Sequence, residues 1–186
     1  MTTTFSRDAI TTTPQLVINA GVIGFGFIGE VHVRAIRAAG GVVTAIAAKT
    51  IEEAIVAAKK MGIEKALTIE EMLNDKDIDV VHICTPNVYH AELAELVIRS
   101  GKHVICEKPL GRNVVEAQRM VELAQKANLR TAYFENQIFM KPMSAQLKQL
   151  VPQQKAMGPL TLVRSAEEHS GPHEPWFWDP TKQGGG

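Results

Sequence analysis

The sequence predicts an α/β fold with a parallel sheet, on three observations. Short apolar runs bounded by turn residues alternate with helix-like stretches along most of the chain, the pattern of parallel strands joined by helical crossovers. A glycine-rich turn, Gly24-Phe25-Gly26-Phe27-Ile28-Gly29, falls between such a run and a helical pattern. Helix-start signals recur at capping-box spacing. Composition fits: of 186 residues, 45% are hydrophobic and 22% charged, enough apolar side chains for one complete domain and a remainder.

The elements follow in order. Residues 1–15 are Thr-rich and broken by Pro14, with no apolar stretch for a signal-peptide core, so a disordered leader is expected. Residues 16–23 read as a strand and 28–39 as a helix. Between them Gly24 permits the tight turn, Gly26 lets backbone approach a ligand, and Gly29 lets the helix lie close on the strand. Residues 42–47, 79–84, 103–106 and 130–134 are further apolar runs, expected as strands buried on both faces. Three helices start at Thr50, Thr68 and Asn113, each with a glutamate three residues on, at Glu53, Glu71 and Glu116. The helix over about 88–100 ends at Gly101, and that over 114–127 at Asn128. This domain is expected over 16–140. Residues 141–186 then read as a linking helix (143–151) and the incomplete start of a second domain, whose first strand is 160–166.

Charge and cysteine usage exclude several classes. Lys+Arg and Asp+Glu both number 20, so neither nucleic acid nor an acidic membrane is an expected partner. No run reaches the roughly 18 apolar residues of a membrane helix. Cys84 and Cys106, the only cysteines, match no zinc or redox spacing and read as reduced core thiols of a cytoplasmic protein.

A glycine turn at a strand-to-helix junction offers free backbone N–H groups and a helix dipole to an anion, here the pyrophosphate of NADP or NAD. An NAD site commonly places Asp or Glu at the end of the second strand. This chain has Ala47-Ala48-Lys49-Thr50 instead. Lys49 can pair with a 2′-phosphate and Thr50 can donate to it, which favours NADP. With Lys49 a solvated loop cation and Thr50 merely a helix cap, either cofactor would bind.

The glycine turn followed by His32, then Cys84-Thr85-Pro86-Asn87 with His90, then Cys106-Glu107-Lys108-Pro109-Leu110, resembles the Gfo/Idh/MocA oxidoreductases over about residues 17–186. The resemblance implies a Rossmann domain followed by an α+β domain with an open, mostly antiparallel sheet. Together these would move a hydride between a nicotinamide and a sugar or polyol carbon. It makes Lys108 the catalytic lysine, in contact with cofactor and reacting hydroxyl, and puts Glu107 by the nicotinamide ribose. The chemistry agrees for Lys108: it stands just past a strand end, Pro109 biases it toward extended geometry, and a cation there stabilises a developing alkoxide.

The candidate cofactor contacts are thus Gly24, Phe25, Gly26, Phe27, Ile28, Gly29, Lys49, Thr50, Thr85, Pro86, Asn87, His90, Glu107 and Lys108. His90 is assigned to packing beneath the cofactor. His32 and His82 read as packing residues outside the catalytic set. Lys108, Asn136, His169 and Trp176 are the candidate substrate contacts, the last two in a loop over 169–178 that mixes aromatic rings with hydrogen-bonding groups as sugar sites do. His169, His173 and Glu174 fit no helical metal-ligand spacing, so no metal is expected. For the full-length parent a homo-oligomer is expected.

The ending departs from the family. Members continue from a segment like Gly184-Gly185-Gly186 into a helix bearing an Asp and a His, the histidine serving as general base; this chain stops first. One strand cannot cover its own apolar face. The expectation is therefore a fragment of a longer enzyme, or else a truncated remnant, that lacks the catalytic histidine and does not turn over alone. A non-catalytic NAD(P)-binding sensor and a family hydrolase or lyase that oxidises transiently and recycles its cofactor remain as alternatives, and Lys108 favours an enzyme over a sensor.

Overall fold

The computed structural model describes residues 17–134, 162, 164, 171 and 174–184. The expected leader, the linking helix over 143–151, most of the strand over 160–166, Asn136 and His169 lie outside the described residues.

Six parallel strands form one sheet: β1 (Asn19–Ile23), β2 (Val42–Ala47), β3 (Lys65–Leu67), β4 (Val80–Ile83), β5 (His103–Glu107) and β6 (Thr131–Phe134), in the order β3-β2-β1-β4-β5-β6. Five longer helices cross between them: α1 (Phe27–Ala38), α2 (Ile51–Met61), α3 (Ile69–Asn74), α4 (His90–Arg99) and α5 (Val114–Ala127). After β6, a 3-10 turn (Pro175–Trp178) and a short helix α6 (Pro180–Gln183) are described. The order reverses between β1 and β4, and a ligand crevice opens at the carboxyl ends of strands at such a point.

Both faces of the central strands are covered, whereas β6, expected to be buried, is exposed at Thr131, Ala132 and Tyr133. On one face, Val22, Val43 and Ile46 pack with Val33 of α1 and Ala57 and Ala58 of α2. On the other, Ile23, Val81, Ile83 and Cys106 pack with Met72 of α3, Leu93 and Val97 of α4, and Met120 of α5. Ile23, Ile46, Ile83 and Val22 are essentially inaccessible, and each such side chain contributes on the order of 1.5–3 kcal/mol relative to exposure.

The caps form at the predicted positions. Thr50 Oγ1 accepts from the Glu53 amide, and Thr68 and Glu71 make the complete reciprocal box. Asn113 accepts from the Glu116 amide, whereas the Glu116 carboxylate accepts from the Arg112 backbone N–H and guanidinium. Asn128 ends α5 with φ 53°, the left-handed cap.

Several element limits differ from the sequence reading, and one strand was missed. β1 begins at Asn19, where the register with Val42 starts; residues 17 and 18 are exposed, although the Ile18 carbonyl still accepts from the Val42 amide. Residues 87–89 wind as a 3-10 turn before α4 starts at His90. β3 had no sequence signal at all: three half-buried residues at a sheet edge are too few to show a period.

Among the described residues no helix is long and apolar enough to cross a membrane. Burial pushes the Cys106 thiol up to about 12, with the Glu107 charge adding to the effect, and it raises Cys84 likewise, so both stay protonated free thiols at neutral pH.

Candidate active site at the carboxyl ends of the strands

The chain leaves β1 at Gly24, with φ 98°. A side chain there would be strained by the backbone and would come within 2.5 Å of the Cys84 carbonyl oxygen. One turn into α1, a Cβ at Gly29 would lie 2.3 Å from the Gly24 carbonyl oxygen. These two glycines let the turn fold back on β4. Gly26 is different: a Cβ there would meet nothing within 4 Å except Glu174 Oε1, at 3.7 Å. It is also the N-cap of α1, and as a glycine it brings no side-chain cap to that helix. The start of α1 thus lies on an open space, and a helix N-terminus carries the positive end of the helix dipole, which attracts an anion.

That space is a cleft of about 1830 Å³, larger than the roughly 300–1,000 Å³ that holds a drug-sized molecule. It runs along the strand ends. Gly24, Phe25, Gly26, Phe27 and Ile28 line it from the turn, Lys49 from the end of β2, Thr85, Pro86 and Asn87 from the end of β4, and Glu107 and Lys108 from the end of β5. Trp176 joins them from the segment after β6. Gly29 packs just behind the turn, and Thr50 is occupied as the cap of α2.

His90 is fully buried below the cleft, with Nδ1 2.7 Å from the Pro109 carbonyl oxygen and Nε2 2.9 Å from that of Thr85. It thereby ties the β4 end to the β5 end. The Asn87 amide donates to the Gln183 carbonyl at 2.9 Å, and Arg112 donates to the Thr181 carbonyl, so residues 174–184 are strapped across the mouth of the cleft.

Several lining residues were not among the candidate contacts, although Glu174 and Phe177 belong to the 169–178 loop singled out in the sequence. Glu52 and Glu53 share the wall with Lys49, while Arg112, Glu174, Phe177 and Lys182 line the far side. Glu52 and Glu53 follow Lys49 within one helical turn, a signal present in the sequence; Arg112 is brought in by the turn after Pro109, for which no pattern stood out.

Glu107 is buried at 4% exposure and turns both oxygens inward. Oε2 accepts from the Lys108 backbone N–H at 3.1 Å, and Oε1 accepts from His32 Nε2 at 2.9 Å. His32 in turn lies 2.9 Å from His82, Nδ1 to Nδ1. Burial first, and the neighbouring His32 second, lower His82 to about 4, so it is neutral at neutral pH. Lys108 itself is exposed to the cleft.

A family model described as an oxidoreductase family with an NAD-binding Rossmann fold, GFO_IDH_MocA, matches residues 18–135. The chain belongs to this family. It is 40% identical over 111 residues to a 1,5-anhydro-D-fructose reductase of Ensifer adhaerens, covering 59% of this chain and 33% of that protein. It is 38% identical over 122 residues to a levoglucosan dehydrogenase of Pseudarthrobacter phenanthrenivorans, covering 60% of this chain and 31% of that one. Among solved structures, an NAD binding oxidoreductase from Klebsiella pneumoniae superposes with a TM-score of 0.70 at 36% identity, over 76% of this chain and 40% of that one. A levoglucosan dehydrogenase in complex with NADH and levoglucosan superposes with a TM-score of 0.61 at 35% identity, over 63% of this chain and 35% of that one. The chain spans about a third of the length of the curated relatives it matches.

Proposed function

We propose that this chain of the Gfo/Idh/MocA family binds a nicotinamide dinucleotide and serves in hydride transfer to or from a sugar or polyol hydroxyl carbon. The observation that carries this is the placing of Lys108, at the carboxyl end of β5, in one cleft with the glycine turn that opens α1.

The residues fit such a cofactor. The α1 amides and the open face of Gly26 suit a pyrophosphate, and Thr85 Oγ1, in the cleft wall, is buried without a hydrogen-bond partner among the described residues. The reading extends to NADP over NAD because Lys49, at the β2 end of the cleft, can pair with a 2′-phosphate, although Glu52 and Glu53 share that wall.

A bound nicotinamide supplies the hydride acceptor or donor. Lys108 then supports the reaction by placing its ammonium on the hydroxyl oxygen, where it stabilises the alkoxide charge that develops as the carbinol carbon is oxidised. The strapped segment 174–184 limits water around that charge, which strengthens the interaction. Trp176 presents a ring at the same mouth, suited to the C–H face of a sugar.

The test is sustained NAD(P)H formation, with a panel of sugars and polyols, by the longest reading frame that contains these 186 residues. Sustained turnover supports the reading. Tight dinucleotide binding without turnover on any member would replace it with a sensor, and product formation without net NAD(P)H would replace it with a recycling hydrolase or lyase.

A further inference from the structure

Two buried histidines stand behind the site with no packing reason to be histidine. His32 is 2% exposed and His82 6%, and a buried polar ring costs free energy unless it is paired. Both are paired, and the pairing leads in one direction. His82 meets His32 at 2.9 Å, His32 meets Glu107 at 2.9 Å, and Glu107 meets the Lys108 amide at 3.1 Å. Phe134, at the end of β6, closes on the His32 ring with centroids 4.8 Å apart.

We infer that His82, His32 and Glu107 form a buried hydrogen-bonded chain that fixes the Lys108 backbone relative to α1, making His32 a positioning residue for the lysine; its catalytic purpose rests on the oxidoreductase reading above.

The donor inventory orders the chain. An ionised carboxylate only accepts, so His32 Nε2 carries the hydrogen shared with Oε1, just as the Lys108 N–H supplies the one shared with Oε2. Both Glu107 oxygens then hold donors, as a buried carboxylate requires. With neutral rings, the hydrogen between the imidazoles belongs to His82 Nδ1, and His82 thereby selects the His32 tautomer that serves Glu107. His82 is neutral in the range where enzymes work, because burial lowers it to about 4.

Geometry shows what the chain accomplishes. His32 lies on α1, one turn beyond Gly29, on the helix whose start faces the anion space. Glu107 ends β5, beside the lysine. The chain therefore spans the cleft floor from the dinucleotide side to the reacting side, so that Lys108 is referenced to the helix that holds the cofactor and not only to its own strand. Such referencing counts, because a displacement near 1 Å at a reacting group costs on the order of 10²-fold in rate.

The experiment is long-range ¹⁵N–¹H correlation NMR on the histidine rings of the labelled chain, with the Lys108 amide resonance followed in parallel. The expected result is a hydrogen on His32 Nε2 and a downfield Lys108 amide that is lost in Glu107→Gln and in His32→Leu. His32→Gln, whose amide nitrogen reaches close to the Nε2 position, should restore the amide signal. In the turnover assay, His32→Leu should lower kcat at least about tenfold with dinucleotide Kd unchanged, and His32→Gln should recover it. A bare His32 Nε2, or a Lys108 amide indifferent to His32→Leu and Glu107→Gln, overturns the inference. So does a His32→Gln variant that folds but is no better than leucine. Should His32→Leu fail to fold, the wild-type ring hydrogens and the glutamine variant still decide. Should the wild-type protein turn over no sugar, the oxidoreductase reading fails while the NMR arm still decides the chain.

Discussion

His32 on α1 and Glu107 at the end of β5 stand 75 residues apart in sequence and 2.9 Å apart at Nε2 and Oε1. Through that contact the helix that opens at the glycine turn and the strand that ends at Lys108 are one mechanical unit.

The buried His82 makes stability depend on pH. Its folded value, about 4, lies below the 6.5 of a free imidazole, so the unfolded chain takes up a proton that the folded one refuses. The contribution is fully present above about pH 6.5, is lost as the pH falls toward 4, and amounts to about 3 kcal/mol across that window. His82→Asn keeps a donor near the Nδ1 position and does not titrate. Urea unfolding at several pH values should show a shallower slope between pH 6.5 and 4 in that variant; an unchanged slope would assign the effect to other groups.

Gly29→Ala puts a methyl carbon at the position 2.3 Å from the Gly24 carbonyl oxygen. The turn must open, at a cost of about 1–3 kcal/mol, and dinucleotide affinity should fall with it. Gly62→Ala is the contrasting control for affinity, since nothing lies within 4 Å of its Cβ position; its φ of 59° makes it strained but remote from the cleft. Chemical unfolding and fluorescence titration on both variants check this.

Lys49 should set the cofactor preference. NADP is expected to bind more tightly than NAD, and Lys49→Asp to reverse the order by removing a charge-assisted contact and adding a repulsive one, a swing of about tenfold or more. Calorimetric titration with both dinucleotides measures it. Parent protein that prefers NAD would remove the argument from Lys49.

Lys108→Ala should lower kcat by about 10²-fold or more and leave dinucleotide Kd nearly unchanged, because its ammonium acts on the reacting oxygen. Equal losses in binding and turnover would move Lys108 to the cofactor phosphates. Stopped-flow hydride transfer separates the two.

What the sequence disclosed was local. The glycine turn is readable because positive φ at Gly24 and the tight approach at Gly29 each demand glycine at a set place, and the caps at Thr50, Thr68 and Asn113 because donor and acceptor are three residues apart. The histidine chain is a product of register. His82 faces Ile105 and Glu107 faces Phe134 across neighbouring ladders, and only that pairing brings residues 32, 82 and 107 together. No spacing along the chain announces it, so His32 and His82 passed as packing residues. The strap over the cleft was hidden for the same reason, since Asn87 meets Gln183 across 96 residues.

The glycine cap of α1 has a thermodynamic corollary. α2, α3 and α5 each take an acceptor from their own sequence, whereas α1 begins at Gly26 without one. An anion held at the turn adds acceptors at that helix end, so part of its binding free energy goes into helix closure. Ligand occupancy and the fraying of residues 26–30 become one linked equilibrium: amide exchange there should slow as dinucleotide or pyrophosphate is added, and the melting temperature should climb with the logarithm of its concentration once the site is saturated.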